Sequence, residues 1–314
     1  MTSGSKMDKA KIAVVGAGLM GIGIATQYIV GGHLVIVYDV DENRLRDAAT
    51  MASKNLDEMV SADAISYSQS HEALDRLFTT NSLSDLACVS VVIEAVPEVL
   101  SLKQSVYRSL ESVIPPTAIL ASNTSGFDPE SLCAELIHPE RFLIAHFWNP
   151  PYLLPLAEIV PSHKTRQTYV DAIEEQLEGI GLATIVLKKS IPGFIGNRVQ
   201  FAILREALHL LRQGVASPEE IDTVIQLTLG RRYRFAGPLA SADLGGLNTI
   251  MEVAKHLMPE LAKDESAIDL LSEHVEHNEI GVRSGRGFYE WTPERLEQLK
   301  TSRQRLLRSP WQIK

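Results

Sequence analysis

The sequence predicts an α/β protein, with an N-terminal doubly wound, mainly parallel sheet and a C-terminal all-α domain. Three observations carry this expectation. Short β-branched runs alternate with helical stretches through the first part of the chain, the pattern of repeated βα units. A glycine-rich turn joins the first run to the first helix. After Ile191-Pro192-Gly193 the strand pattern fades and helical periodicity takes over. The expected domains are therefore 7–190 and 191–314.

Lys11–Val15 (KIAVV) reads as the first strand, and Gly16-Ala17-Gly18-Leu19-Met20-Gly21 follows at once. Apolar and small residues then continue at helical spacing through Ile29, and Gly31-Gly32 closes the helix, as glycine at a helix C-terminus often does. A second strand, Leu34–Tyr38, ends at Asp39. Each position has a physical reason. Gly16 allows the tight turn, Gly18 lets backbone approach a pyrophosphate, and Gly21 lets helix and strand pack closely. The helix N-terminus offers unpaired N–H groups and a positive dipole to phosphate. Asp39 can accept hydrogen bonds from both ribose hydroxyls and would repel a 2′-phosphate. No arginine directly follows it, so NAD is expected over NADP. The strand, helix and acid together point to a Rossmann-type dinucleotide site, whereas the glycines alone would equally suit a plain turn in another α/β fold.

The alternation continues. Asp41–Val60 reads as a helix with a charged face, Val89–Val92 with Ile93 as a buried strand, and Leu100–Val113 as a helix ended by Pro115-Pro116. Ala118–Ala121, Phe142–His146, Leu156–Val160 and Ala183–Leu187 read as strands. Beyond the boundary, helices are expected over Gly196–Gln213, Pro218–Leu229, Leu247–Leu261, Ser266–His277 and Glu294–Arg308. Ser217 is a good N-cap before Pro218. The run Glu294–Arg308 reads as a solvated helix face.

Composition narrows the function classes. The 314 residues carry a formal charge of −9, which argues against a nucleic-acid-coating surface, since that needs clustered positive charge. No apolar run is long enough for a membrane span. The polar start MTSGSKMDKA lacks the apolar core of a signal peptide and reads as a frayed tail. Cys88 and Cys133 are too few for a disulfide framework and suit a reducing compartment. The expectation is a cytoplasmic protein with a small-molecule substrate. Ligand spacing for a metal is missing, so no metal is expected, and there is no GxSxG elbow for a nucleophilic hydrolase.

His146 closes one strand and Glu158 lies in the next, with Asn-Pro-Pro able to reverse the chain between them. A carboxylate on one imidazole nitrogen fixes the tautomer and leaves the other nitrogen as a base. Ser122, Asn123, Thr124 and Ser125 form a polar cluster suited either to hydrogen-bonding a substrate oxygen or to satisfying their own loop. Asn197 stands near the start of the long helix, as a substrate contact or a cap. Arg231, Arg232 and Arg234, beside two aromatics, suit a carboxylate or phosphate, or simply a solvated loop.

These motifs together resemble the L-3-hydroxyacyl-CoA dehydrogenase family. The carriers are VVGAGLMG (14–21), VIEAVPE (92–98), ASNTSG (121–126), HPERFLIAHFWNP (138–150), PGFIGNR (192–198), AGPLASADLGGL (236–247) and GRGFYEW (285–291). The resemblance implies that His146 takes the C3-hydroxyl proton and that Glu158 orients it. It implies substrate contacts from Ser125, Asn149 and Asn197, with Ser125 and Asn149 also near the nicotinamide. It places Asp39, Glu98, Lys103 and the loop Gly16, Gly18, Leu19, Met20 and Gly21 on NAD. Arg283 stands where the family tends to carry a lysine close to NAD. A homodimer formed through the helical domain, and a place in fatty acid metabolism, are further implications.

Departures bear on the substrate. The family's CoA-handling helix often carries lysines near its far end, yet in 51–64 only Lys54 is basic. NPPYLLPL (149–156) and LGRRYRF (229–235) look more like the branch acting on free hydroxy acids, which includes gulonate 3-dehydrogenase, lambda-crystallin and carnitine dehydrogenase. The sequence therefore predicts first a 3-hydroxyacyl-CoA dehydrogenase. The alternatives are a free 3-hydroxy acid dehydrogenase with Arg232 as carboxylate anchor, and a non-catalytic NAD-binding structural protein.

Overall fold

The computed structural model describes residues 10–263 and 267–308. The polar start, the first residue of the helix expected at Ser266, and 309–314 lie outside the described residues. The described residues form two compact units, 10–195 together with 299–308, and 196–298. The sequence pattern alone places the boundary near residue 190, whereas 191–195 and 299–308 pack with the first unit.

The first unit is built on an eight-stranded sheet in the order β3-β2-β1-β4-β5-β6-β7-β8. Its strands are β1 (Lys11–Val15), β2 (Leu34–Tyr38), β3 (Leu77–Thr80), β4 (Val91–Glu94), β5 (Ile119–Ser122), β6 (Phe142–Phe147), β7 (Leu156–Pro161) and β8 (Ala183–Val186). All neighbours pair in parallel except β6 with β7. Side chains of β1 alternate between two cores, as the two-residue strand period requires. Ile12 and Val14 join one, Ala13 and Val15 the other. The order reverses at β1, between β2 and β4, so the crevice above the carboxyl end of β1 is the ligand position for such a sheet.

The helices of this unit are α1 (Leu19–Val30), α2 (Glu42–Ser61), α3 (Tyr67–Leu74), α4 (Leu100–Glu111), α5 (Pro129–Cys133) and α6 (Gln167–Gly179). α1 is buried almost all round, packed on β1, α2 and α3. α2 buries Ala48, Ala52, Leu56 and Met59, a single stripe at helical spacing. Its N-cap Asp41 accepts a hydrogen bond from Asn43 N–H at 2.9 Å, which satisfies one orphan donor of the first turn. β3, α3, α5 and α6 were not anticipated. β3 is a short strand at the sheet edge with two of its four residues exposed, so it lacks the apolar run that marks the inner strands.

The second unit holds α7 (Gly196–Arg212), α8 (Pro218–Leu227), α9 (Leu229–Arg232), α10 (Pro238–Gly245), α11 (Leu247–Leu257) and α12 (Ala267–Glu276), and α13 (Pro293–Leu307) follows. α8 opens with the expected Ser217 cap, here a full capping box with Glu220. The helix expected over Leu247–Leu261 stops at Leu257 and passes into a 3-10 turn over Met258–Glu260. Pro259 explains this, because proline in a helix interior removes a donor and crowds the preceding turn. Among the described residues no helix is long and apolar enough to cross a membrane.

Candidate active site

The glycine turn lies at the switch point. Gly16 adopts φ +110°, a conformation that disfavours any side chain. A Cβ on Gly21 would lie 1.8 Å from the carbonyl oxygen of Gly16, so this glycine is dictated by packing. A Cβ on Gly18 would meet nothing within 4 Å. That position borders a cavity of about 740 Å³, lined also by Gly16, Leu19, Met20 and Asp39. Gly18 is the N-cap of α1, and no side chain caps that helix. Its first-turn N–H groups are the anion-binding feature such a site needs.

Asp39 is 7% exposed. Its Oδ2 accepts from Ala17 N–H at 2.8 Å and its Oδ1 from Asp41 N–H at 2.9 Å. Each carboxylate oxygen has two lone-pair sites, so the group is fixed and keeps acceptor capacity toward the cavity. The open space at Gly18, the uncapped helix start and this anchored acid fit the pyrophosphate and adenosine ribose of NAD.

A buried ionic cluster lies beside the cavity. Glu94, at the end of β4, is fully buried. Its Oε1 accepts from Lys103 Nζ and Val96 N–H, both at 2.7 Å. Its Oε2 accepts from Tyr107 O–H at 2.5 Å and Ser122 O–H at 2.8 Å. Lys103 also lies 3.3 Å from Glu98 Oε2, and Glu98 Oε1 accepts from Thr124 O–H and, at 3.2 Å, from Ser125 N–H. Burial, reinforced by Glu94, pushes the Tyr107 phenol far above its ordinary value, which keeps it a donor. Lys103, expected on the cofactor, is 1% exposed and holds Glu94 and Glu98 together. Glu94 and Tyr107 were missed because an acid and a phenol in sequence give no sign of burial.

His146 and Glu158 stand opposite each other in the β6–β7 register. His146 Nδ1 lies 3.1 Å from Glu158 Oε2. Glu158 Oε1 accepts from Ile195 N–H at 2.8 Å, a contact that sequence spacing alone does not suggest. The two residues are 6% and 2% exposed. Phe194, at φ +51°, and Trp148 place rings 5.4 and 5.7 Å from the imidazole. Trp148 Nε1 is buried with no hydrogen-bond partner among the described residues.

The polar loop after β5 divides its labour. Ser122 is spent on Glu94, Asn123 Oδ1 accepts from Phe147 N–H at 2.8 Å, and Thr124 Oγ1 accepts from Phe127 N–H at 3.1 Å. Ser125 alone of the four is exposed. Asn149 is also exposed, and the Asn149–Pro150 peptide is cis. The next residues are clamped. Tyr152 O–H donates to Glu58 Oε2 at 2.8 Å, Arg303 Nη2 donates to Tyr152 Oη at 2.9 Å, and Arg303 Nε lies 3.1 Å from Glu58 Oε1. Arg308 lies 3.4 Å from Asp63. The end of α13, read from sequence as a solvated face, is thus pinned to the far end of α2.

Asn197 opens α7, and Arg232 ends α9 on an exposed segment with Arg231 and Arg234. Arg283 is exposed in the turn between bridge partners Gly281 and Arg286. These residues lie in the second unit.

Residues 11–190 match the 3-hydroxyacyl-CoA dehydrogenase NAD-binding domain, and residues 193–291 match the C-terminal domain of the same family. The 5-formyl-3-hydroxy-2-methylpyridine 4-carboxylate 5-dehydrogenase of Mesorhizobium japonicum is 34% identical over 297 residues, 94% of this chain and 95% of that protein. The 3-hydroxybutyryl-CoA dehydrogenase of Bradyrhizobium diazoefficiens is 33% identical over 90% of this chain and 95% of its own length. A crystal structure of 5-formyl-3-hydroxy-2-methylpyridine 4-carboxylic acid 5-dehydrogenase, an NAD+-dependent dismutase, superposes with a TM-score of 0.87 at 33% identity, covering 96% of this chain and 97% of that one.

A glycine-lined crevice at the switch point and a histidine braced by a carboxylate are what an NAD-dependent oxidoreductase acting on a CH–OH group requires. The matches over both halves of the chain make the assignment narrower. The protein belongs to the 3-hydroxyacyl-CoA dehydrogenase family.

Proposed function

We propose that the protein oxidises the hydroxyl of a small free hydroxy acid, with His146 as general base. The observation that carries the chemistry is the His146–Glu158 pair, buried and 3.1 Å apart. Glu158 accepts a hydrogen bond from Nδ1–H, so Nε2 is left as the base that takes the substrate hydroxyl proton. The imidazolium that forms is stabilised by the same carboxylate. Phe194 and Trp148 keep water from the ring faces, which strengthens that ion pair. NAD, when bound, supplies the hydride acceptor. The Gly16–Gly21 turn, Asp39 and Glu98 would hold it, and Ser125 and Asn149 would orient substrate and nicotinamide.

The free-acid reading takes precedence over the thioester for two reasons. The Mesorhizobium relative and its structural counterpart, matched over nearly the whole chain, are named for a carboxylate substrate. The far end of α2 and the turn after it, where the family resemblance would place CoA-handling lysines, instead offer Glu58 and Asp63 to Arg303 and Arg308. Arg232 then serves as carboxylate anchor, with Asn197 as a further substrate contact and Arg283 near NAD. The thioester remains the second reading, supported by the Bradyrhizobium relative. A homodimer through the helical unit belongs to this proposal too. That unit exposes Leu239, Phe235 and Leu244 at 83%, 78% and 76%, apolar side chains that a second copy would cover.

The test is a panel of 3-hydroxybutyrate, gulonate, carnitine, an aromatic formyl carboxylate and 3-hydroxybutyryl-CoA with NAD, with NADH formation followed by its absorbance. Turnover of a free acid with loss on Arg232→Ala is expected. Turnover of the thioester alone overturns the free-acid reading, and no turnover of any member with NAD bound points to a non-catalytic protein.

A further inference from the structure

The cavity above β1 carries a cation that the assignment of its glycines and Asp39 leaves unused. Arg44, in the first turn of α2, lines it. Its Nη1 lies 3.8 Å from Asp39 Oδ2 and its Nε 3.7 Å from Asp41 Oδ2. The guanidinium is therefore steered by two carboxylates, one of them itself fixed by two backbone N–H groups. These separations are loose ion pairs, and half of the side chain stays exposed. Across β1, the β4 side contributes Leu102, Val106, Val96 and Pro97, with Ser105 and Ser109. One flank of the crevice is thus apolar with two hydroxyls, and the other ends in a planar cation.

That pairing suits a flat, electron-rich heterocycle with hydrogen-bonding edges, which in a dinucleotide is the adenine. We propose that Arg44 is an adenine-binding residue that lays its guanidinium on one face of the ring, while Leu102 and Val106 meet the other. The local charge supports this use over phosphate binding. One cation against Asp39 and Asp41 leaves the ribose end net negative, so Arg44 is occupied by acids already present and does not open the site to a 2′-phosphate. Guanidinium suits the role better than ammonium because it is planar and less tightly hydrated. The proposal rests on the reading that the glycine-lined cavity takes the adenosine half of NAD.

Titration calorimetry with ADP-ribose separates the two claims. The wild-type chain should bind it, and Gly18→Val should abolish binding, since that side chain would enter the cavity. Failure of either result removes the site reading and the arginine proposal with it. Given both, Arg44→Ala should weaken ADP-ribose about tenfold, the size expected of a cation–π contact, with no change in thermal midpoint. Arg44→Lys should recover only part of the loss. Affinity within twofold of wild type in Arg44→Ala overturns the proposal, and so does full recovery by Arg44→Lys, which would mean that charge alone matters.

Discussion

Gly18 and Gly21 sit in one turn and are glycine for opposite reasons. At Gly21 a methyl group would strike the Gly16 carbonyl, whereas at Gly18 it would meet open cavity. Gly21→Ala is therefore expected to destabilise the fold by about 1–3 kcal/mol, as overpacking does, and to lower the thermal midpoint with or without NAD. Gly18→Ala should cost at most about 1 kcal/mol of stability while weakening NAD severalfold. Calorimetry of folding and of binding on both variants checks the contrast.

His146→Gln should lower kcat by about 10²–10⁴-fold and leave NAD affinity within a factor of two. Glu158→Gln should also lower kcat, since an amide cannot stabilise the imidazolium as a carboxylate does. It should shift the pH profile too, which stopped-flow rates across pH would show. A wild-type kcat in His146→Gln would end the base assignment.

Lys103→Met should destabilise by about 3–5 kcal/mol, because it leaves Glu94 buried without its cation. Tyr107→Phe removes one hydrogen bond to the same carboxylate and should cost about 1.5–3 kcal/mol. The double variant Glu94→Gln with Lys103→Met should be less unstable than the sum of the singles. Urea denaturation of the four chains measures this coupling.

Tyr152 gives a pH test. Burial, together with Glu58, raises its phenol from 10.0 to about 12. A folded-state value above the unfolded one contributes stability that is complete below pH 10 and is lost as pH rises through about 12. Tyr152→Phe removes that dependence, so urea midpoints at pH 8 and 11 should fall less for the variant than for the wild type. Arg303→Ala should deepen the loss at high pH, because the guanidinium beside Tyr152 favours the phenolate and its removal raises the folded-state value further.

Much of the first unit was legible because its residues have one reading. Ile12 and Val14 alternate with Ala13 and Val15, and Gly16, Gly18 and Gly21 fall where a strand becomes a helix. His146 and Glu158 could be paired because a short reversing segment separates two apolar strands. What stayed hidden is set by long-range burial. Glu94 and Lys103 look solvent-facing in sequence, Arg44 looks like part of a charged helix face, and Arg303 lies far along the chain from Tyr152. Ile195 contributes only its backbone N–H to Glu158, and no side-chain pattern encodes that. Helix ends such as Leu257 shifted where a proline intervened.

The β6–β7 ladder is the sheet's one antiparallel pairing among the described residues. Because strand side chains alternate faces, inserting or deleting a single residue between Phe147 and Leu156 would slip the alignment and turn the carboxylate away from the imidazole. That connection can accept changes of composition far more readily than changes of length. Natural variation there should be substitution-rich and nearly free of indels, even where the neighbouring surface loops have grown or shrunk.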